Sequence, residues 1–212
     1  VEISAGAFYG VALKSDGTVE GWGNESWLSD LSTLTNIKSI SAGSFTTLIL
    51  KSDGTVLAFG KNDDGEANVP GSLSGVVEIA SGNGHSLALK SDGTVVAWGR
   101  NSNGQTGVPV SLGVVEKIAA GGYHSMALQN NGVVVGWGNN NYSQTTFPEA
   151  YEGVTQVACG DEYTAILVAD PGDDCGTLNG YTVYEGGDSI DFTTESNYTV
   201  TTLEWEEEAC YN

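Results

Sequence analysis

Basic side chains are scarce in this sequence: seven Lys and Arg stand against 27 Asp and Glu, for a formal net charge of −20. Beyond Lys117 there is none. A surface of that sign repels phosphate, so neither nucleic acid nor anionic lipid is expected as a partner. It reads either as a solvated face suited to a salty medium or as a field that recruits a basic partner or cations. No run of roughly 18 apolar residues occurs, so no membrane insertion is expected. The chain opens at Val1-Glu2-Ile3 with neither Met nor a signal-peptide pattern, as a processed product or a fragment would. Met occurs once and Pro four times, whereas Gly reaches 30, and Thr, Ser, Asn and Val are abundant. That mixture disfavours long helices and favours strands joined by tight turns.

Cysteine is sparse as well. Cys159 falls where other copies of a repeat carry Ala or Ser, and is expected to be a small buried thiol. Cys175 and Cys210 flank the non-repeated tail; a disulfide between them would close a loop of roughly 36 residues and contribute about 3–4 kcal/mol. Three sequons, at Asn24, Asn141 and Asn197, are candidate glycosylation sites compatible with a secretory route.

Self-similarity dominates what remains. The segment that runs from Ile79 to Gly99 returns from Ile3, Ile40 and Ile118, and in shortened form from Val157, at spacings of 37, 39, 39 and 39 residues. Ser-Asp-Gly-Thr stands at 15–18, 52–55 and 91–94, with Asn130-Asn-Gly-Val as its fourth version. Each full copy closes on an aromatic-Gly pair: Trp22-Gly23, Phe59-Gly60, Trp98-Gly99 and Trp137-Gly138.

Every unit reads as a short strand of small residues ending in Gly, then a strand of alternating polarity such as Ser86-Leu-Ala-Leu-Lys. An Asp-Gly hairpin turn follows, of the kind that two-residue loops favour, and the strand that ends in the aromatic returns. Such a unit cannot bury both faces alone; stacking copies side by side, with radial closure, buries them. The chain is therefore expected to be all-β, with propeller blades: four full repeats and a partial fifth in residues 1–168. An acidic β-rich C-terminal extension over 169–212 follows, as a cap or assembly segment. Trp22, Phe59, Trp98 and Trp137 are the expected wedges between blades.

Chemistry is weighed and set aside. His85 and His124 share one repeat position, where the other copies have Tyr9, Thr46 and Tyr163; two ligands without a third or fourth make no metal site. Asp63-Asp64-Gly65-Glu66 lacks the order of a calcium loop. No Gly-x-Ser-x-Gly elbow, phosphate-binding loop or dinucleotide fingerprint is present. No catalytic residue, metal or cofactor is assigned, and no enzyme is expected. Binding is assigned to positions that vary freely between copies. The fifth residue past each aromatic gives Trp27, Asp64, Asn103 and Tyr142 in polar loops. A second patch, after each Ala-Gly, gives Phe8, Phe45 and Tyr123.

Several of these motifs together resemble the regulator of chromosome condensation repeat family in its bacterial-type short form. They are Ala-Gly-x-x-His-Ser-x-Ala-Leu from Ala120 to Leu128, Ser-Asp-Gly-Thr-Val, Trp-Gly-x-Asn from Trp98, Asn-x-x-Gly-Gln from Asn101 to Gln105, and the Val108-Pro109 step. The resemblance covers residues 1–168 and implies a β-propeller, usually seven-bladed, that serves as a platform for protein partners. Val1-Glu2 aligns with Val115-Glu116 at the end of a linker, so the array starts mid-pattern. Blades upstream, a smaller ring, or completion by another chain all remain open. The acidic charge argues against a chromatin or exchange-factor role. The expected function is binding or assembly, through a protein partner or as a homo-oligomer, on an extracellular or virion surface: a fibre, appendage, adhesin or decoration protein. The alternative is a secreted inhibitor or recognition factor for one protein target.

Overall fold

The computed structural model describes residues 1–24, 31–147 and 153–168, with the backbone of 182–185 and 188–191. They form five antiparallel sheets, each built from consecutive strands in chain order. Blade one holds β1 (Glu2–Ala5), β2 (Tyr9–Leu13) and β3 (Val19–Gly23). Blade two holds β4 (Ile37–Ala42), β5 (Thr46–Lys51) and β6 (Val56–Gly60). Blade three holds β7 (Val76–Ser81), β8 (His85–Lys90) and β9 (Val95–Gly99). Blade four holds β10 (Val115–Ala120), β11 (His124–Gln129) and β12 (Val134–Gly138). The fifth sheet has four strands: β13 (Val154–Cys159), β14 (Thr164–Val168), β15 (Thr182–Glu185) and β16 (Asp188–Asp191). Its last two strands come from the segment expected to be an extension, and β15 pairs directly with β14. Among the described residues the one helical turn is Leu31–Thr33, and no helix is long and apolar enough to cross a membrane.

The hairpin turns differ from the two-residue loop that Asp-Gly suggests. In blade two, Lys51 N–H donates to Thr55 O at 2.8 Å and Gly54 N–H donates to Lys51 O at 2.9 Å, which encloses a three-residue Ser-Asp-Gly loop. Only Gly54 takes positive φ, at 82°. Asp53 instead accepts the Thr55 N–H at 2.9 Å. The pair is thus split between two jobs, a left-handed residue and a side-chain cap, as in three-residue hairpins that carry a bulge.

The hydrophobic core lies in the seams between sheets rather than inside any one of them. Val11 and Leu13 of blade one pack with Ile40 and Ile49 of blade two. Leu48 and Leu50 pack with Ile79 and Trp98 of blade three, and Leu87 and Leu89 with Ile118 and Trp137 of blade four. A smaller cluster joins Leu128 to Val154 and Ile166. Burial of apolar area, roughly 25 cal/mol per Å², therefore rewards each unit only when a neighbour is present.

The first strands of the blades line the inside of the array, and their closing glycines explain how they approach. A Cβ on Gly82 would collide with Gly121 O of the next blade and with the ring of its own His85. Gly121 is hemmed in likewise by Gly160 O and His124. Only glycine lets the inner wall close this tightly.

Candidate binding face

The loops that leave these inner glycines are tied to one another around the inner wall. Ala7 N–H donates to Ser44 O at 3.2 Å, Ser44 N–H to Gly82 O at 3.3 Å, Asn83 N–H to Gly121 O at 3.3 Å and Gly122 N–H to Gly160 O at 3.2 Å. One residue further on stand Phe8, Phe45, Gly84, Tyr123 and Glu162. A second set of loops, entered after β3, β6, β9 and β12, is bonded to the first at the same end of each blade. The amides of Asn24, Lys61, Arg100 and Asn139 donate to the carbonyls of Phe8, Phe45, Gly84 and Tyr123 at 2.7–2.9 Å. Trp27 aside, the two patches read from sequence therefore belong to one face, on backbone that is bonded on both sides.

The side chains on that face form a short aromatic track. Phe8 is 66% exposed, and its ring stacks on Phe45 with centroids 6.1 Å apart and planes 30° apart. Lys61 Nζ lies 5.5 Å from the centre of the Phe45 ring and also pairs with Asp63 at 3.0 Å. The Arg100 guanidinium sits 5.1 Å over Tyr123, whose hydroxyl accepts from Asn83 Nδ2 at 3.1 Å. Tyr142 is 53% exposed, and Asp64 and Asn103 are also exposed. Trp27, Cys175, Cys210 and Asn197 lie outside the described residues; Asn24 and Asn141 are exposed.

The four aromatics expected as wedges divide. Trp98 and Trp137 are buried in seams, with 8% and 7% exposure, and Phe59 is half-buried against the seam of blades one and two. Trp22 departs from the expectation at 50% exposure, because no blade lies on that side of blade one among the described residues. Sequence reading also missed the residues that receive the wedges. Glu66 and Gln105 are buried, and their main-chain carbonyls accept Trp98 and Trp137 Nε1–H at 2.9 Å. The same carbonyls accept the hydroxyls of Ser86 and Ser125 at 2.9 and 2.8 Å, and Gln144 O accepts Thr164 Oγ1–H at 2.8 Å. The signal was present: a Gly or Ser followed by Glu or Gln recurs in each of these loops, the Glu or Gln two residues past the positions singled out for variability.

The histidines are part of the same seams. His85 Nε2 lies 3.0 Å from Ser125 Oγ, and His124 Nε2 lies 2.9 Å from Thr164 Oγ1. Each hydroxyl has one proton, already donated to a carbonyl, so each imidazole must donate from Nε2. Their Nδ1 atoms are buried without a hydrogen-bond partner. Burial keeps both rings neutral, pushing His85 down to about 4 and lowering His124. The partly buried Cys159 is pushed up to about 12 by burial, so its thiol stays protonated at neutral pH. Among the described residues, no three His, Cys, Asp or Glu side chains converge as a metal site would need.

A cavity of about 510 Å³ opens among the inner loops, walled by glycine and alanine backbone with Phe8, Ser44, Phe45, Asn83, Cys159 and Asp161 on its sides. The arrangement offers aromatic surface, main-chain groups and one carboxylate, held on a bonded frame. It can grip a partner.

Comparison with known proteins bears on this frame. The family model for the regulator of chromosome condensation (RCC1) repeat matches residues 37–66, 76–105 and 115–144. No curated protein matches the chain. Human WBSCR16 superposes with a TM-score of 0.68 at 19% identity, over 90% of this chain and 65% of that one. The ectodomain of the Physcomitrella patens receptor kinase CR4 gives 0.66 at 22% identity, over 80% and 48%. Prp20p from Saccharomyces cerevisiae gives 0.64 at 20% identity, over 77% and 54%. The chain thus spans about half the length of the last two, and at these identities the likeness is one of fold.

Proposed function

The chain is a β-propeller repeat protein of the regulator of chromosome condensation family, and from that premise we propose that it is a non-enzymatic binding module whose loop face engages a protein partner. The observation that carries this reading is the Phe8–Phe45 stack. Apolar rings held in the open by bonded backbone lose little freedom on docking, and aromatic anchors of this kind dominate the energy of protein interfaces. Two structures of one relative support the choice of partner class. Prp20p was crystallised in work on its binding to Gsp1p and histones, and the yeast protein was also solved with Kap60 bound.

The setting we assign is an extracellular or virion surface, as a fibre, appendage, adhesin or decoration protein. Its support is the charge of −20 and the scarcity of Lys and Arg, which suit a surface that must stay soluble and repel phosphate. Residues 169–212, whose first strands continue the fifth sheet, act as the cap or assembly segment of the array. A secreted factor that recognises one protein target is the second reading, favoured by the exposed Phe8 and Tyr142 on a single face. Native mass measurement separates the two: a homopolymer fits assembly and a discrete monomer fits the recognition factor.

The binding reading is tested by capture of partners from native material with the chain and with a Phe8→Ser/Phe45→Ser variant. The variant should lose its partner by about thirtyfold in affinity or more while its urea midpoint is unchanged. Equal capture by both sinks the reading.

A further inference from the structure

The cavity of the binding face carries a charge pattern that narrows the chemistry of what enters it. The residue after each inner glycine is Ala7, Ser44, Asn83, Gly122 and Asp161 in the five units. Only the fifth places a charge there, and Asp161 is the one charged side chain among the described residues that line the cavity. It is fixed in place: Asp161 O accepts Gly122 N–H at 3.0 Å, and its carboxylate lies against the Gly122 Cα, where a Cβ would overlap Oδ1. Gly122 is thus the position that gives Asp161 room.

The cations of this face are occupied elsewhere. Lys61 is held between Asp63 and the Phe45 ring. Arg100 is held between the Tyr123 ring and Ser102 Oγ, which accepts Nε–H at 3.1 Å. Those two contacts also show what the aromatics of this face accept: a cationic head near 5–6 Å from the ring centre. Phe8, the most exposed ring of the set, lines the same cavity as Asp161. Cavity walls of Gly and Ala backbone add carbonyl oxygens with spare lone pairs.

Resting on the binding-face reading above, we propose that the cavity receives a cationic side chain of the partner, an arginine in preference to a lysine, with Asp161 as its counter-ion and Phe8 as its stacking surface. A guanidinium suits either element, since its plane stacks on a ring and its edge presents paired donors to a carboxylate. An ammonium offers a point charge and keeps its water more strongly. A metal ion is a poorer fit, since among the described residues no three His, Cys, Asp or Glu side chains converge. The net charge of −20 steers such a partner in from a distance, and salt weakens that steering.

The test is a solution NMR titration of the full 212-residue chain with capped Gly-Arg-Gly, Gly-Lys-Gly and Gly-norleucine-Gly peptides, read at the amides of Gly121, Gly122, Gly160 and Asp161. The arginine peptide should shift these amides saturably and bind more tightly than the lysine peptide. Asp161→Asn should weaken the arginine peptide by about tenfold, and raised NaCl should weaken it in the unsubstituted chain. Glu116→Gln, a control for general attraction to an acidic surface, should leave its binding unchanged. Equal binding of the norleucine and arginine peptides, unmoved by Asp161→Asn or by salt, would make the cavity a plain apolar seat. The arginine assignment then falls while the binding face stands. Silence of these amides toward all three peptides overturns the arginine assignment as well, and the Phe8 and Phe45 substitution then decides the face on its own.

Discussion

Blade one and blades three and four use the same residues on the same side and bury them very differently. Ile3 is 69% exposed, whereas Ile79 and Ile118 at the equivalent strand position are 7% and 5% exposed. Trp22 is half in solvent, whereas Trp98 and Trp137 are sealed in seams and hydrogen-bonded to the blade before them. Residue type alone does not make a core here. Each blade carries half of an interface, and the other half is the previous blade's second strand together with the carbonyl of its Glu or Gln.

The largest expected effect breaks this comparison directly. Trp98→Ala or Trp137→Ala opens a cavity in a seam and should cost about 3–5 kcal/mol in urea unfolding. Next is acidity. The unfolded chain takes a proton on His85 near its ordinary 6.5, but the folded chain does so only near 4. Between those values the unfolded state binds more protons, so stability is whole above about pH 6.5 and falls as the pH drops toward 4. The loss from this one ring is about 3 kcal/mol. Unfolding followed from pH 7.5 to 4.0 should show that slope, and His85→Gln should flatten it. Third, Ser125→Ala leaves the buried His85 Nε2–H without its acceptor and should cost about 1–3 kcal/mol by the same assay. Last, Trp22→Ala should change stability by about 0.5 kcal/mol or less, since solvent already covers much of the ring. If Trp22→Ala proved as costly as Trp98→Ala, a neighbour must cover blade one in solution, and the contrast would vanish.

Much of the fold was legible because the repeat states its own boundaries. Ile-to-Gly, Ser-Asp-Gly-Thr and the aromatic-Gly pair recur in register, and each falls on an inner strand, a turn or the end of the third strand. What stayed hidden was pairwise. Phe59 stands where the other units have Trp, and the sequence from Asn24 to Asp30 lacks the Gly-Glu or Gly-Gln pair found before Trp98 and Trp137. An indole N–H is present in those two seams, where a loop carbonyl waits for it, a relation between neighbouring copies that a single copy cannot display. The site was less legible for a similar reason. Phe8, Phe45 and Tyr123 could be named from their loops, but the contribution of Asp161 depends on Gly122 in another blade, which yields the space its carboxylate fills.

Two kinds of seam bond have a fixed direction. Loop amides donate forward, from Ala7 to Ser44 and from Asn83 to Gly121, while indoles donate backward, from Trp98 to Glu66 and from Trp137 to Gln105. The two flanks of any blade are therefore unlike, as a plug differs from its socket. Contacts made with this grammar join front to back, which yields closed rotational rings or open screws.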